Sequence, residues 1–228
     1  MIESFADDVR IANGPTVNGA GGFHFPTRMV IVRLESGGLF VWSPIALTAD
    51  LRDAVDALGP VEHIIGPNSL HHLFIPDWAA AWPQARLHAA PGLDTARPDI
   101  RFDTILGDTP DPAWAGTLDQ VVMRGNAITT ETVFFHRPSG TVIVTDLIQH
   151  LPDDWFSGWR RLIATWDRMT GPEPAVPRKF RLAFTGRKAA RAARDRLLAW
   201  PAERLVMAHG APVTEDAAGL IRRAFAWL

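Results

Sequence analysis

Four side chains that commonly bind metal ions occur at three separate places in this sequence, each place following an apolar segment. The four residues are His71, His72, Asp146 and His209. The adjacent histidines come after the apolar segment 61–65, the aspartate directly follows the run 141–145, and the last histidine directly follows the run 205–208. Three imidazoles and one carboxylate suit Zn²⁺, Fe²⁺, Mn²⁺ or Co²⁺. Because strand ends are rigid, ligands at such positions can form one metal site.

The segments around these residues alternate between strand and helix patterns in the first half of the chain. Residues 28–34 and 39–42 are strand-like and flank a Gly-Gly turn, which predicts a hairpin. Thr48 is a good N-cap for a helix over 49–58, where apolar residues recur at helical spacing. A strand over 61–65 then leads into the loop that carries the two histidines.

The second half contains a block rich in strands and then a block rich in helices. The turn at 137–140 joins the strand-like segments on either side of it into a second hairpin. The remaining predicted elements are a strand within 100–105, strands at 120–123, 131–136, 141–145 and 205–208, and helices at 187–200 and 214–228.

Composition limits the classes of function that are open. The 228 residues are 47% hydrophobic and 21% charged, which suits one globular domain over 1–228. A formal net charge of -2 provides no general electrostatic reason to expect nucleic acid or a membrane surface as a partner. Without cysteine there is no disulfide, thiolate ligand or cysteine nucleophile. We predict no signal peptide or membrane span, and expect a cytoplasmic protein with a small-molecule substrate.

The order of these elements resembles the metallo-β-lactamase superfamily. The resemblance rests on the strand and His-containing loop at 61–72, the hairpin at 131–146 with Asp146 at its end, and the pair His209-Gly210 after the last strand. It implies an α/β fold with α+β type layering, a four-layered αββα sandwich. Segments 40–44, 66–74 and 82–83 are closer to superfamily members known only as a domain of unknown function.

The resemblance also identifies what this chain lacks. The superfamily's first motif is His-x-His-x-Asp-His, and its last two residues align with His71 and His72, so that Pro67 and Ser69 stand where the first two histidines belong. The next expected histidine is absent from 125–129. The usual first metal position has therefore lost its histidines. The resemblance implies that the second position keeps four possible ligands, His71, His72, Asp146 and His209.

Such a site would hold a single divalent ion. We expect zinc or iron, and manganese is a further possibility. The ion would support hydrolysis, the commonest activity of the superfamily. Four protein ligands would close a tetrahedral zinc site, whereas a catalytic zinc usually keeps three and a water. Two alternatives remain open. One is a mononuclear iron protein with redox or oxygen chemistry. The other is a scaffold without metal, in which side chains such as Trp42 or Trp78 would fill the cleft.

Four further residues are candidates for contacts with substrate or with the ligands. Asn68 and Ser69 precede the adjacent histidines, and ordinary loop roles are equally open for them. His24 lies on an early Gly-rich segment of a kind that overhangs the site in the superfamily. Glu131 lies near the missing ligand of the first metal position, although an exposed glutamate at the start of a strand is the simpler expectation.

Overall fold

A computed structural model describes residues 1–228, and its eleven strands form two sheets. The first sheet has seven strands in chain order: β1 (Ile2–Ala6), β2 (Val9–Asn18), β3 (His24–Arg33), β4 (Leu39–Trp42), β5 (Val61–Gly66), β6 (Arg86–Ala89) and β7 (Thr104–Ile105). The second sheet has the order β11-β10-β9-β8, and its strands are β8 (Leu118–Met123), β9 (Glu131–His136), β10 (Thr141–Val144) and β11 (Arg204–Met207).

The structure has seven α-helices, and most of them cover the outer faces of these sheets. They are α1 (Ala49–Asp56), α2 (Ile75–Ala81), α3 (Leu93–Ala96), α4 (Gly158–Trp166), α5 (Arg178–Ala183), α6 (Arg187–Leu198) and α7 (Ala217–Ala224). The Thr48 hydroxyl accepts a hydrogen bond from the Leu51 N–H, which confirms the predicted N-cap of α1. No helix has the length and continuous apolar character that crossing a bilayer would require.

Alternating side chains on the strands build three cores and hence four layers. In β3, Val30 and Val32 belong to the core between the two sheets, whereas Met29 and Ile31 belong to the core beneath α1 and α2. A third core joins the outer face of the second sheet to α5, α6 and α7. The layering is thus helices, sheet, sheet, helices, which confirms the αββα sandwich.

Both predicted hairpins are present, since β3 pairs with β4 and β9 pairs with β10 in antiparallel register. Two predictions were wrong in extent. The strand expected within 100–105 forms only at Thr104–Ile105, and the last helix covers Ala217–Ala224 rather than 214–228. Asp216 adopts a left-handed conformation (φ +49°), so the last helix begins only after it.

Strand direction brings the candidate ligands together. β10 and β11 are parallel, with Val144 opposite Met207, so the segments that follow them leave the second sheet side by side. Asp146 and His209 lie on those two segments. The His71 loop follows β5, whose parallel partners β4 and β6 belong to the first sheet. The three residues therefore meet where both sheets end.

A buried histidine makes stability depend on pH. His88 has no exposed surface and lies beside Trp114, and burial, followed by His63 and Arg86, lowers its pKa from 6.5 to about 4. Between these pH values the unfolded chain binds a proton that the folded chain does not, so stability decreases as the pH falls. Two to three pKa units correspond to roughly 3 kcal/mol.

We expect His88→Gln, which cannot take up this proton, to lose less stability than the wild type between pH 6.5 and 4. Urea denaturation at a series of pH values measures the difference, and the glutamine amide can still contact His63. Parallel stability profiles for the two proteins would contradict this account.

Candidate metal centre

Three of the four candidate ligands converge on one point. The Nε2 atoms of His71 and His209 are 3.2 Å apart. The Asp146 carboxylate lies against both, with Oδ2 at 3.3 Å from His71 Nε2 and Oδ1 at 3.4 Å from His209 Nε2. All three side chains are largely or fully enclosed. All three side chains are of types that bind metal ions, and their ligand atoms lie within 4.8 Å of one another.

The orientation of His209 is determined by a backbone carbonyl. Its Nδ1 is 2.8 Å from the carbonyl oxygen of Pro26, on the neighbouring β3. A carbonyl oxygen only accepts hydrogen bonds, so His209 must carry a proton on Nδ1. In the neutral imidazole the lone pair therefore lies on Nε2, which faces Asp146. Such an outer hydrogen bond is the usual device that orients a metal-binding histidine.

His71 is held in a corresponding way by a side chain of the first sheet. Its Nδ1 is 2.8 Å from the Ser43 hydroxyl, which follows β4. Ser43 has a left-handed backbone (φ +51°), an uncommon conformation for a serine and one typical of functional sites. Burial lowers the pKa of His71 in spite of the nearby Asp146 carboxylate, so the imidazole is neutral at pH 7.

Two amide side chains hold the Asp146 carboxylate. Asn68 donates to Oδ2 at 2.8 Å, and Gln149 donates to Oδ1 at 3.1 Å. Burial alone would raise the pKa of Asp146, but the adjacent imidazoles of His71 and His209 outweigh this effect and hold the pKa well below its usual value. Asn68 also accepts hydrogen bonds from the N–H groups of Leu70 and His71, so one residue positions two of the three candidate ligands.

Glu131 is fully buried beneath this group, which makes the expectation of an exposed glutamate wrong. Its carboxylate accepts hydrogen bonds from the backbone N–H groups of Thr145, Asp146 and Leu147 at 2.7, 2.9 and 3.2 Å. Burial, followed by repulsion from Asp146, raises its pKa to about 7. Glu131 thus fixes the turn that carries Asp146, and it is not part of the converging group.

The converging group has the chemistry and the size of a metal site. The Pro26 carbonyl leaves the His209 Nε2 lone pair facing Asp146, and the Ser43 hydroxyl can accept the Nδ1 proton of His71 and so allow the same tautomer there. In that state two imidazole lone pairs and a carboxylate face one another, an arrangement that a cation between them would stabilise. Ligands about 2.0 to 2.1 Å from a tetrahedral zinc stand about 3.3 Å from one another. The observed separations of 3.2 to 3.4 Å fit such an ion.

The structure does not bring His72 into this group. Its Nδ1 is 2.7 Å from an Nη1 of Arg97, whose guanidinium is held by both carboxylate oxygens of Asp99. A guanidinium only donates, so Nδ1 of His72 accepts and Nε2 carries the proton. Burial, followed by the charge of Arg97, lowers the pKa of His72. Its imidazole is thus a neutral hydrogen-bonding group, and it lines the cavity that opens above the three converging side chains.

The remaining candidates have structural contacts. Ser69 bonds through its N–H and hydroxyl to the Thr129 hydroxyl, at 3.2 and 2.9 Å. The ring of His24 packs near Trp155 and Phe156 and does not line the cavity, although both its sequence neighbours do. Sequence reasoning did not identify Ser43 or Gln149 as site residues. Ser43 lies in segment 40–44, one of the segments that resemble the domain of unknown function, whereas nothing in the sequence indicates Gln149.

A cavity of about 650 Å³ opens above the three converging side chains. Neither tryptophan expected in a filled cleft occupies it, because Trp42 packs between the sheets and Trp78 packs under the outer helices. Its lining residues include His71, His72, Asp146 and His209 together with apolar side chains from β2, β3, α4 and the loop after β5. The candidate ligands are therefore accessible to a small molecule.

Solved structures with the same architecture are metallo-β-lactamases and a flavodiiron core. A metallo-beta-lactamase from Pontibacter korlensis is 13% identical, with a TM-score of 0.66 over 100% of this chain and 97% of that one. The FIM-1 metallo-beta-lactamase from Pseudomonas aeruginosa in its mono-zinc form is 13% identical, with a TM-score of 0.62 over 98% and 93%. The metal-soaked Flv1 flavodiiron core from Synechocystis sp. PCC6803 is also 13% identical, with a TM-score of 0.65 over 100% and 60%.

These similarities establish that the chain has the metallo-β-lactamase fold. Within that fold, the family described as "Domain of unknown function (DUF4336)" matches residues 17–161, well over half of the sequence, and the chain belongs to this family. A comparison with curated proteins finds no match.

The contacts of Asn68 lead to a prediction that separates its effect on the metal from its effect on the fold. Asn68→Ala removes a donor to Asp146 and the acceptor for the His71 N–H, so we expect zinc affinity to fall 10- to 100-fold. The free energy of unfolding should fall by about 2 kcal/mol. Zinc titration with a competing chelator measures the first effect, and urea denaturation measures the second.

Asn126 offers a matched control. It is also buried, accepts hydrogen bonds from two backbone N–H groups of its own loop and donates to the Phe180 carbonyl, but it does not contact Asp146. Asn126→Ala should destabilise the fold by a similar amount and leave zinc affinity unchanged. Equal losses of affinity in the two variants would contradict the role given to Asn68.

Proposed function

We propose that the protein is a metal-dependent hydrolase that holds one divalent ion through His71, Asp146 and His209. The observation that carries this proposal is the convergence of two imidazole nitrogens and one carboxylate within 3.2 to 3.4 Å of one another. The contact with the Pro26 carbonyl leaves His209 Nε2 as an acceptor, and the Ser43 hydroxyl can accept the Nδ1 proton of His71, which would leave its Nε2 as an acceptor too. No protein cation neutralises this point, and a divalent ion would.

Three ligands rather than four support a catalytic role. Four protein ligands would complete a tetrahedral zinc site, whereas three leave a position for water or substrate. His72 is engaged with Arg97, so we leave it out of the proposed ligand set. The 650 Å³ cavity above the ligands gives a substrate access to that position.

Each protein group has a definable task in such a reaction. When bound, a divalent ion supplies Lewis acidity and makes hydroxide available near neutral pH. Asp146 contributes the one negative charge of the set, and Asn68 and Gln149 hold its two oxygens in place. His72 presents a neutral imidazole at the cavity wall, where it can hydrogen-bond a substrate. The apolar wall limits competing water, which strengthens these polar interactions.

The structural relatives favour this proposal without determining the substrate. Several are metallo-β-lactamases, and one of them was solved in a mono-zinc form. A single zinc is therefore compatible with this fold in a related protein. We expect zinc as the functional ion, with iron as the principal competitor and manganese behind it.

Metal content tests the ligand set. We expect protein purified without chelator to contain about one equivalent of divalent metal, and Asp146→Ala or His209→Ala to reduce this to well below 0.3 equivalents, because two ligands hold such an ion weakly. His72→Ala is the matched control, since it removes an adjacent imidazole and should retain the metal. Elemental analysis of the folded proteins gives the result.

Two outcomes would count against the proposal. Metal-free wild-type protein that does not take up zinc would exclude the metal site. A loss of metal in His72→Ala as large as that in His209→Ala would restore the four-ligand set and the closed coordination that it implies. Hydrolysis itself is tested with a panel of esters, amides and lactones, for which we expect turnover by zinc-loaded protein and none after chelation.

A second candidate function is favoured by the ligand types. Two histidines and one carboxylate form the set that mononuclear non-haem iron enzymes use, with positions open for oxygen chemistry. The flavodiiron core among the structural relatives makes iron compatible with the fold. Protein that is isolated with iron, consumes oxygen and hydrolyses none of the panel would favour this function over the hydrolase.

A further inference from the structure

Most residues that line the cavity above the candidate ligands are apolar, and Asn18, Thr27 and His72 are neutral polar exceptions on its wall. The floor of the cavity is polar. The polar groups there are the His71, Asp146 and His209 side chains and the nearby Ser43. Most of the wall above them is apolar, and its aromatic groups are Phe23, Phe25, Phe74, Trp166 and Phe180. A ligand that fills this space has a polar group at one end and an apolar body.

The one cationic side chain on the wall is already neutralised. Lys179 Nζ lies 3.4 Å from the carboxylate of Asp167, which also accepts a hydrogen bond from the Lys179 N–H. The ammonium lies 5.5 Å from the ring centre of Phe25 and 5.3 Å from that of Phe180. Asp167 is buried and so is not free to pair with a ligand cation. The wall therefore has no free charge for a charged tail to bind.

The apolar wall continues to the mouth of the cavity. Five of the lining side chains are 42 to 59% exposed to solvent, and they are Leu70, Leu73, Ile128, Ile163 and Trp166. Contiguous apolar groups exposed around a concave site mark it as a place where apolar ligands bind. Because buried and exposed apolar side chains line the same cavity, a chain held at the floor can keep apolar contacts on its way to the surface.

We propose that the site binds an ester or amide that carries an uncharged apolar chain. The chain lies along this wall, and the carbonyl group lies at the floor. The proposal rests on the hydrolase function for the chemical step and on the wall for the substrate class. In that step one water adds to the carbonyl carbon and the bond to the alcohol or amine breaks. The acid and the protonated leaving group are released, and no oxidant or reductant is needed.

Binding without chemistry tests the substrate class separately from the hydrolase. Metal-free protein is titrated with 1-hexanol, 1-octanol and 1-decanol, and displacement of 1-anilinonaphthalene-8-sulfonate is followed by fluorescence. We expect each added methylene to tighten binding about two- to fourfold, the upper value being that of full burial. Ile163→Asp puts a charge on the wall, so it should weaken the binding of decanol at least tenfold and the binding of hexanol much less.

Leu162→Asp is the matched control, because Leu162 is on the same helix, is 74% exposed and does not line the cavity. It should bind all three alcohols as the wild type does. Zinc-loaded protein is then assayed with p-nitrophenyl acetate, hexanoate and decanoate, and with the mono-ester of glutarate as the charged tail. We expect kcat/KM to rise at least tenfold from acetate to decanoate, with the glutarate ester well below hexanoate.

The outcomes separate the two proposals. Binding that depends on chain length, without hydrolysis of any ester, would support the substrate class and contradict the hydrolase. Hydrolysis that is equally fast for acetate and decanoate, together with alcohol binding that ignores chain length, would overturn the substrate class and leave the hydrolase intact. Equal effects of Ile163→Asp and Leu162→Asp would likewise overturn the role of the wall.

Discussion

The constraint on which this site depends is the convergence of the His71 and His209 Nε2 atoms on the Asp146 carboxylate. The Pro26 carbonyl accepts the Nδ1 proton of His209, and the Ser43 hydroxyl can do the same for His71. With those protons outside, both inner nitrogens are acceptors and face an ionised carboxylate. Such a group is unfavourable by itself and favourable around a cation, so the surrounding hydrogen bonds prepare the site for a metal ion before one binds.

Much of the neighbouring structure maintains that arrangement. Asn68 joins the His71 loop to Asp146, and Glu131 binds the backbone of the turn on which Asp146 lies. These residues come from different sheets and from distant parts of the sequence. The αββα layering matters to function because it brings the end of β5 in one sheet to the ends of β10 and β11 in the other.

The sequence predicts the parts of this fold that have local causes. Strand-like apolar segments on either side of turn residues indicated both hairpins, and Thr48 indicated the start of α1. Asp146 and His209 could be proposed as site residues because each follows a strand-forming run. The other features depend on distant contacts. His71 and His72 are adjacent in the loop, but their side chains have different partners. Arg97, which is 25 positions away in the sequence, binds His72. Glu131 is buried because three N–H groups of residues 145–147 need its carboxylate, and no local pattern shows this.

Anomalous diffraction at the zinc edge, from crystals of the zinc-loaded protein, tests the three-ligand site most directly. We expect one anomalous peak bonded to His71 Nε2, His209 Nε2 and the Asp146 carboxylate, with His72 still paired with Arg97. A peak that includes His72 among the ligands, or density in which the two imidazoles and the carboxylate contact one another with no metal between them, would contradict the three-ligand site.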